Sequence, residues 1–407
     1  MRLISLAFAS SILALATACS AGSQSGETAL GAPVETRPAN DPSQLPAFEG
    51  QTRAPGVTTQ GTLTHNVIAS GLENPWGLAL LPDGNWLITE KPGRLRIVSA
   101  QGVIGAPITG VPAVDAKGQG GLLDVILSPD FTTDRVIYFS YAQPRAGGNG
   151  TAVASARLSD DNTRLENVKV IFASANTYPG DKHYGSSLAF GPDGKLYITL
   201  GERSDKPMRP DAQNLGTHHG KVVRINADGS VPADNPFVGR EGALPQNYTY
   251  GHRNPQGIAI QPGTGAVWTI EHGTRGGDEL NLIKPGNNYG WPIAAYGIEY
   301  NGDVIPNTVR EVEGTVQPVY YWDPVIAPGG MTFYEGTMFP EWNGNILAAG
   351  LASKHLARLV IENDRVVGEQ RLLSGLGERI RDVAVAADGS VWVITDEENG
   401  KLVRLSR

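Results

Sequence analysis

The 407-residue chain has one cysteine, Cys19, so it can form no internal disulfide. It has no C-x-x-C-H run to attach a haem and no Gly-x-Gly-x-x-Gly run behind a strand, which argues against a nicotinamide or flavin fold. It also has no basic run: 33 Lys and Arg stand against 41 Asp and Glu, a net charge of −8, and this argues against nucleic acid as a partner. Beyond the first 19 residues no stretch is long and apolar enough to span a membrane.

What is present begins with a leader. Arg2 is followed by an apolar core from Leu3 to Leu15 and by the small residues Ala16, Thr17 and Ala18 ahead of Cys19. This is the pattern of a bacterial secretory signal with a lipobox-like end, so residues 1–19 are expected to direct export to the periplasm. Cys19 is the expected point of lipid attachment to a membrane. Ala16 stands where the usual lipobox has leucine, which leaves simple cleavage without lipid as the alternative. Residues 20–59 are rich in Gly, Ser, Pro, Thr and Ala, with few large apolar side chains, and read as a flexible tether.

Residues 60–407 repeat themselves. PWGLALLPDGNWLITE from Pro75, GLLDVILSPD from Gly121, GSSLAFGPDGKLYITLGE from Gly185 and NPQGIAIQPGTGAVWTIEHG from Asn254 share one plan, as do the stretches from Gly329 and Ile380. Each gives a short apolar strand, a turn such as Pro-Asp-Gly, and a second alternating strand. Six units at intervals of about 45 to 75 residues predict an all-β, six-bladed β-propeller, and 51 glycines with 28 prolines suit so turn-dense a fold. In such a ring the starts of the inner strands converge on one face of the channel. Gln119, His183, Arg253, Asn254, Arg379 and Arg381 all fall at blade starts. Three arginines there call for a polyanion, and the histidine is the titratable base. Glu202, ending the next strand of the same blade, is placed to bond His183 and fix its tautomer. Taken singly, His183 also reads as a loop residue, Gln119 as a turn residue, and Arg379 with Arg381 as a solvated strand face.

The densest stretch runs from Gly251 to Trp291. Arg253 and Asn254 precede one strand, and His272, Gly273 and Thr274 follow the next, so both sets emerge at one end of a hairpin. Gly273, Gly276 and Gly277 free the backbone to expose carbonyl oxygens, and Asp278 and Glu279 add hard oxygen ligands, a combination that suits calcium. Arg253 offers a planar fork to a carboxylate or quinone oxygen. Turn glycines with solvated acids would give the same local pattern.

The motifs GQGGLLDV, H-x-x-x-S-L-x-F-G-P-D-G, GHRNPQG, EHG-x-x-GGDE-x-N, NNYGWP and RIRDV followed by TDE occur in this order. Over roughly His65 to Leu405 the chain resembles the soluble quinoprotein aldose sugar dehydrogenases, the family of the PQQ (pyrroloquinoline quinone) glucose and sorbosone dehydrogenases. The resemblance implies PQQ and calcium as cofactors, an aldose substrate oxidised at C1 to the lactone, and an external electron acceptor, a quinone or a cytochrome. It implies that His183 is the base, that Gln119 touches the sugar, that Arg253 and Asn254 contact PQQ, and that Arg379 and Arg381 grip its carboxylates. The carbonyls of Gly273 and Thr274 would hold the calcium on the quinone, and Glu279 with Tyr289 a second, structural one. Departures are Thr274 in place of a frequent proline, Ala352 where some members have lysine, with Lys354 the expected substitute, and Lys182 where the best-known member has aspartate. Two other classes fit a propeller of this kind: a calcium-dependent lactonase or esterase, and a non-catalytic sugar-binding lipoprotein.

Overall fold

Three of the six repeats turn their first hairpin on an Asp-Gly pair. Asp83, Asp193 and Asp388 each accept the backbone N–H two residues on, at 3.0, 3.0 and 2.9 Å, and Gly84, Gly194 and Gly389 take φ of 82, 71 and 81°. The aspartate closes the turn on itself and the glycine supplies the left-handed backbone, which sets the register Leu80↔Trp86, Phe190↔Leu196 and Val385↔Val391.

In the structure, a computed structural model that describes residues 27–407, these hairpins build six sheets around a central axis, a six-bladed β-propeller. The leader and Cys19 lie outside the described residues. The inner strands are Pro75–Leu80, Leu122–Leu127, Leu188–Phe190, Pro255–Ile260, Pro328–Phe333 and Ile380–Val385, each packed on the next and the last on the first. Apolar side chains fill the space between blades, such as Trp268, Ile270, Met331 and Phe333 between blades 4 and 5, or Trp86, Ile88, Trp392 and Ile394 between blades 1 and 6. Buried aspartates link neighbouring inner strands: Asp124 accepts the Leu188 N–H at 2.7 Å and Asp382 the Leu78 N–H at 3.2 Å. The ring closes in blade 6, where Thr64–Leu72 pairs antiparallel with the final strand, Gly400–Ser406.

The stretch expected to be a flexible tether is, from Glu35 on, laid against blades 4 and 5. Arg371 bonds Glu35 at 2.7 Å, the Asn40 N–H bonds Asp323 at 3.0 Å, Gln44 bonds Gly297 O at 2.9 Å, and Gln51 bonds Pro318 O at 2.9 Å. Pro55–Thr59 then joins the outer edge of blade 5 in parallel, with Gly56 opposite Glu369, and pairs in turn with Glu27–Pro33. Hydrogen bonds to distant parts of the chain order this segment, so its lack of large apolar residues does not leave it free.

Antiparallel pairing also decides what shares the channel mouth. Pro75 lies opposite Glu90, Pro255 opposite Glu271 and Ile380 opposite Thr395. The start of each inner strand therefore stands beside the end of the second strand.

Candidate active site

His183 opens the loop into blade 3 and is held at several points. Its backbone takes φ 49°, uncommon for a non-glycine residue. Its N–H donates to Gln119 Oε1 at 2.8 Å, and its Nδ1 lies 3.0 Å from Glu202 Oε2. A carboxylate only accepts, so Nδ1 carries the proton and Nε2 keeps its lone pair. Glu202 Oε2 also takes the Ser204 N–H, while Oε1 is buried without a partner. Gly201 is required beneath this loop, because a Cβ there would stand 2.2 Å from the His183 carbonyl oxygen.

Burial lowers the His183 pKa below its ordinary value; Arg253 and Arg203 push the same way, and Glu202 opposes them. For Glu202, burial works upward, but His183 and Arg253 outweigh it and hold the carboxyl below its usual range. The pair is a neutral imidazole backed by a carboxylate.

Arg253 and Asn254 tie blade 4 to this centre. Asn254 Oδ1 accepts the Gly185 N–H at 3.1 Å. Arg253 donates to His272 O at 3.2 Å and to the Tyr300 hydroxyl at 3.3 Å, and its Nε is buried with no partner. Gln256 is shared, with Oε1 2.9 Å from Arg381 Nη1 and 3.2 Å from His272 Nε2. Arg381 also pairs with Asp396 at 2.6 Å and leaves its Nε buried and unpartnered, while Arg379 reaches the same carboxylate only at 3.4 Å. Gln256, His272, Arg379, Arg381 and Asp396 line a cleft of about 240 Å³ together with Trp76, Lys91 and Gln119. Its cations, Lys91, Arg379 and Arg381, outnumber its one carboxylate, Asp396, and Arg381 Nε lacks an acceptor, a donor set that fits a polyanion such as PQQ.

The glycine turn lies beside Arg253. Asp278, expected among the calcium-suited oxygens, is engaged otherwise: its carboxylate accepts the N–H groups of Gly273, Ala327 and Ile326 at 2.8, 2.7 and 2.8 Å. The donors left at this turn are the main-chain oxygens of Gly273 and Thr274, and these suit a hard cation. On the other side of Arg253, Glu279 and Glu271 face a void of about 10 Å³, lined also by Gly251, Tyr289 and Tyr296. Burial and the neighbouring Glu271 push the Glu279 pKa well above its ordinary value. Asn281 contacts it at 3.2 Å, and it has no cationic partner among the described residues. The Tyr289 hydroxyl is engaged, donating to Leu282 O at 2.7 Å and accepting the Lys284 N–H at 2.9 Å. A void near the size of one water between two buried carboxylates fits a cation.

Lys354 stands apart from the cleft, with its Nζ bonded to Gly377 O at 3.0 Å in the exposed loop ahead of Arg379. Sequence reasoning gave no role to Lys91, Gln256, His272 and Asp396. Lys91, His272 and Asp396 sit at the ends of second strands, where the pairing register brings them to the mouth. Lys91 bonds Gly118 O at 2.7 Å beside Gln119. Arg203 is buried against the His183 loop, where it bonds Lys182 O at 3.0 Å.

Residues 72–404 match the glucose/sorbosone dehydrogenase family model. The chain is 43% identical to aldose sugar dehydrogenase YliI of Escherichia coli over 348 residues, 85% of this chain and 93% of that protein. It is 28% identical to quinoprotein glucose dehydrogenase B of Acinetobacter calcoaceticus, over 81% of this chain and 84% of that one. Among solved structures, the PQQ-bound form of an aldose sugar dehydrogenase from Streptomyces coelicolor matches with a TM-score of 0.70 at 29% identity, covering 85% of this chain and 98% of its own.

Proposed function

Because the chain belongs to the glucose/sorbosone dehydrogenase family, we propose that it oxidises aldose sugars at C1 to the lactone, with His183 taking the hydroxyl proton. It is an enzyme, a quinoprotein sugar dehydrogenase. The observation that carries the mechanism is the His183–Glu202 pair, a neutral imidazole with a fixed tautomer beside a cleft of underpaired arginines.

Arg379 and Arg381 hold the cofactor's carboxylates, Arg253 and Asn254 its quinone side, and the main-chain oxygens of Gly273 and Thr274 a calcium ion. When bound, PQQ supplies the hydride acceptor and calcium the Lewis acid that polarises it. His183 Nε2 removes the C1 hydroxyl proton as the hydride departs, and Glu202 stabilises the imidazolium so formed. Gln119 keeps its amide NH₂ for a sugar hydroxyl while its oxygen holds the His183 N–H. Arg253 would supply a positive charge to stabilise the cofactor's quinone side. Glu279 and Tyr289 would hold a second, structural calcium behind Arg253. Electrons pass to an external quinone or cytochrome, since the chain carries no haem or iron–sulfur motif. The leader supports export to the periplasm, with lipid attached at Cys19 or cleavage ahead of it.

A dye-linked assay of the purified apo-protein with an aldose panel tests this reading. Activity should appear only when PQQ and calcium are both added. Failure to bind PQQ would remove the quinoprotein assignment, and PQQ binding without oxidation of any aldose would remove the substrate class.

A further inference from the structure

Arg203 follows the carboxylate that backs the base, yet it meets no carboxylate within ion-pair distance among the described residues. It is 3% exposed. Its guanidinium lies 4.1 Å over the Tyr184 ring and donates three hydrogen bonds: Nε to Lys182 O at 3.0 Å, and Nη2 to Gly180 O at 2.6 Å and Asn149 Oδ1 at 2.7 Å. Nη1 is buried with no partner, and the backbone of Arg203 and Ser204 takes φ of 76 and 73°. A buried, incompletely paired cation on a strained backbone is costly and needs a reason to persist. The acceptors supply one. Lys182 O belongs to the peptide joining Lys182 to His183, and the N–H of that same peptide is held by Gln119.

Resting on the assignment of His183 as the base, we propose that Arg203 is a positioning residue for it. The guanidinium fixes the peptide ahead of His183 and sets a permanent positive charge beside the imidazole. The charged and titratable groups around His183 are Glu202 and Arg203 from blade 3 and Arg253 and His272 from blade 4. Burial is the largest force against the imidazolium, Glu202 favours it, and Arg253 and then Arg203 add to the opposition. The base therefore stays unprotonated beside its own carboxylate until the substrate hydroxyl gives up its proton. Lysine would preserve the charge but not the planar fork that reaches three acceptors.

The test compares Arg203→Gln with Arg203→Lys, reading the pH profile of kcat/KM in the loaded enzyme and the imidazole NMR titration of His183 in the apo-protein. Arg203→Gln should cut kcat at neutral pH at least ~10-fold and move the acid limb and the His183 titration up, with sugar KM and PQQ affinity within about 2-fold. Arg203→Lys should lower kcat several-fold and leave both titrations near wild type. Wild-type titrations in Arg203→Gln, or loss of kcat in both variants with no shift in either, would overturn the inference. If Arg203→Gln does not fold, Arg203→Lys decides: wild-type kcat there means the fork does not position the base. His183→Ala separates the two readings, because an active His183→Ala enzyme refutes the base assignment itself. An inactive one beside an unperturbed Arg203→Gln refutes only the role of Arg203.

Discussion

The two sides of the channel mouth are finished to different degrees. On the blade 3 side Glu202 Oε1 and Arg203 Nη1 are buried without partners, yet the base itself is fixed: the peptide ahead of His183 is held at both its oxygen and its N–H, the ring is held through Nδ1, and the next turn is tied to Asn254. On the blade 6 side Arg381 keeps a buried Nε without an acceptor and Arg379, 41% exposed, makes one long contact. Proton transfer needs its geometry in place before the substrate arrives, whereas an anion grip can leave donors open for the ligand to complete.

The sharpest way to break this contrast is His183→Ala. Turnover should fall by ~10²–10⁴-fold while PQQ titrates into the apo-protein with unchanged affinity, as seen by absorbance. A comparable loss of PQQ affinity would mean that the two sides are one unit. The complementary change, Arg381→Gln, removes one charged donor worth ~1.5–3 kcal/mol. PQQ affinity should drop roughly 10- to 150-fold with kcat at saturating PQQ within a few-fold, and an equal fall in kcat would place Arg381 on the reacting side. Glu279→Gln sharpens the picture behind Arg253. The carboxyl sits above its ordinary pKa because it is buried beside Glu271, so the amide should leave the calcium-free melting temperature no lower than wild type. The same variant should lose the rise in melting temperature that added calcium gives the parent. A full calcium response in Glu279→Gln would place the ion elsewhere.

The smallest effect lies outside the mouth, where Glu35 fastens residues 35–54 to the ring. Its carboxyl is held down to about 2 from 4.5, first by Arg37 and then, against burial, by Arg371. A depressed carboxyl stabilises fully above its unfolded value and loses that contribution as pH falls toward the folded one. Hydrogen exchange across residues 35–54 should therefore accelerate as pH drops from about 4.5 toward 2, relative to intrinsic rates, and Glu35→Gln should abolish this pH dependence.

The propeller was readable because its repeats are local: Asp83-Gly84, Asp193-Gly194 and Asp388-Gly389 each announce a hairpin within a few residues, and the blade starts follow from them. What escaped depends on pairing between distant positions. Lys91 and Asp396 reach the cleft only because Glu90 and Thr395 lie opposite strand starts, and no local pattern marks them. Arg203 lies past the strand Lys195–Leu200, which ends two residues short of the expected Glu202, and its burial depends on Asn149 and Gly180, far back in the chain. The segment from Glu35 was misjudged for the same reason, since Asp323 and Arg371 stand some three hundred residues away.

The ring is fastened by a strand from each end of the propeller, Thr64–Leu72 and Gly400–Ser406, paired inside blade 6, so its one seam has the other three strands of blade 6 on one bank and Thr64–Leu72 with blade 1 on the other. Trp76 and Lys91 stand on one bank of that seam and Arg379, Arg381 and Asp396 on the other, with the Arg381 guanidinium 5.5 Å over the Trp76 ring. An anion gripped there is a rivet as well as a cofactor. Such an anion would need blades 6 and 1 already side by side, and once seated it would oppose the unzipping by which the ring would open.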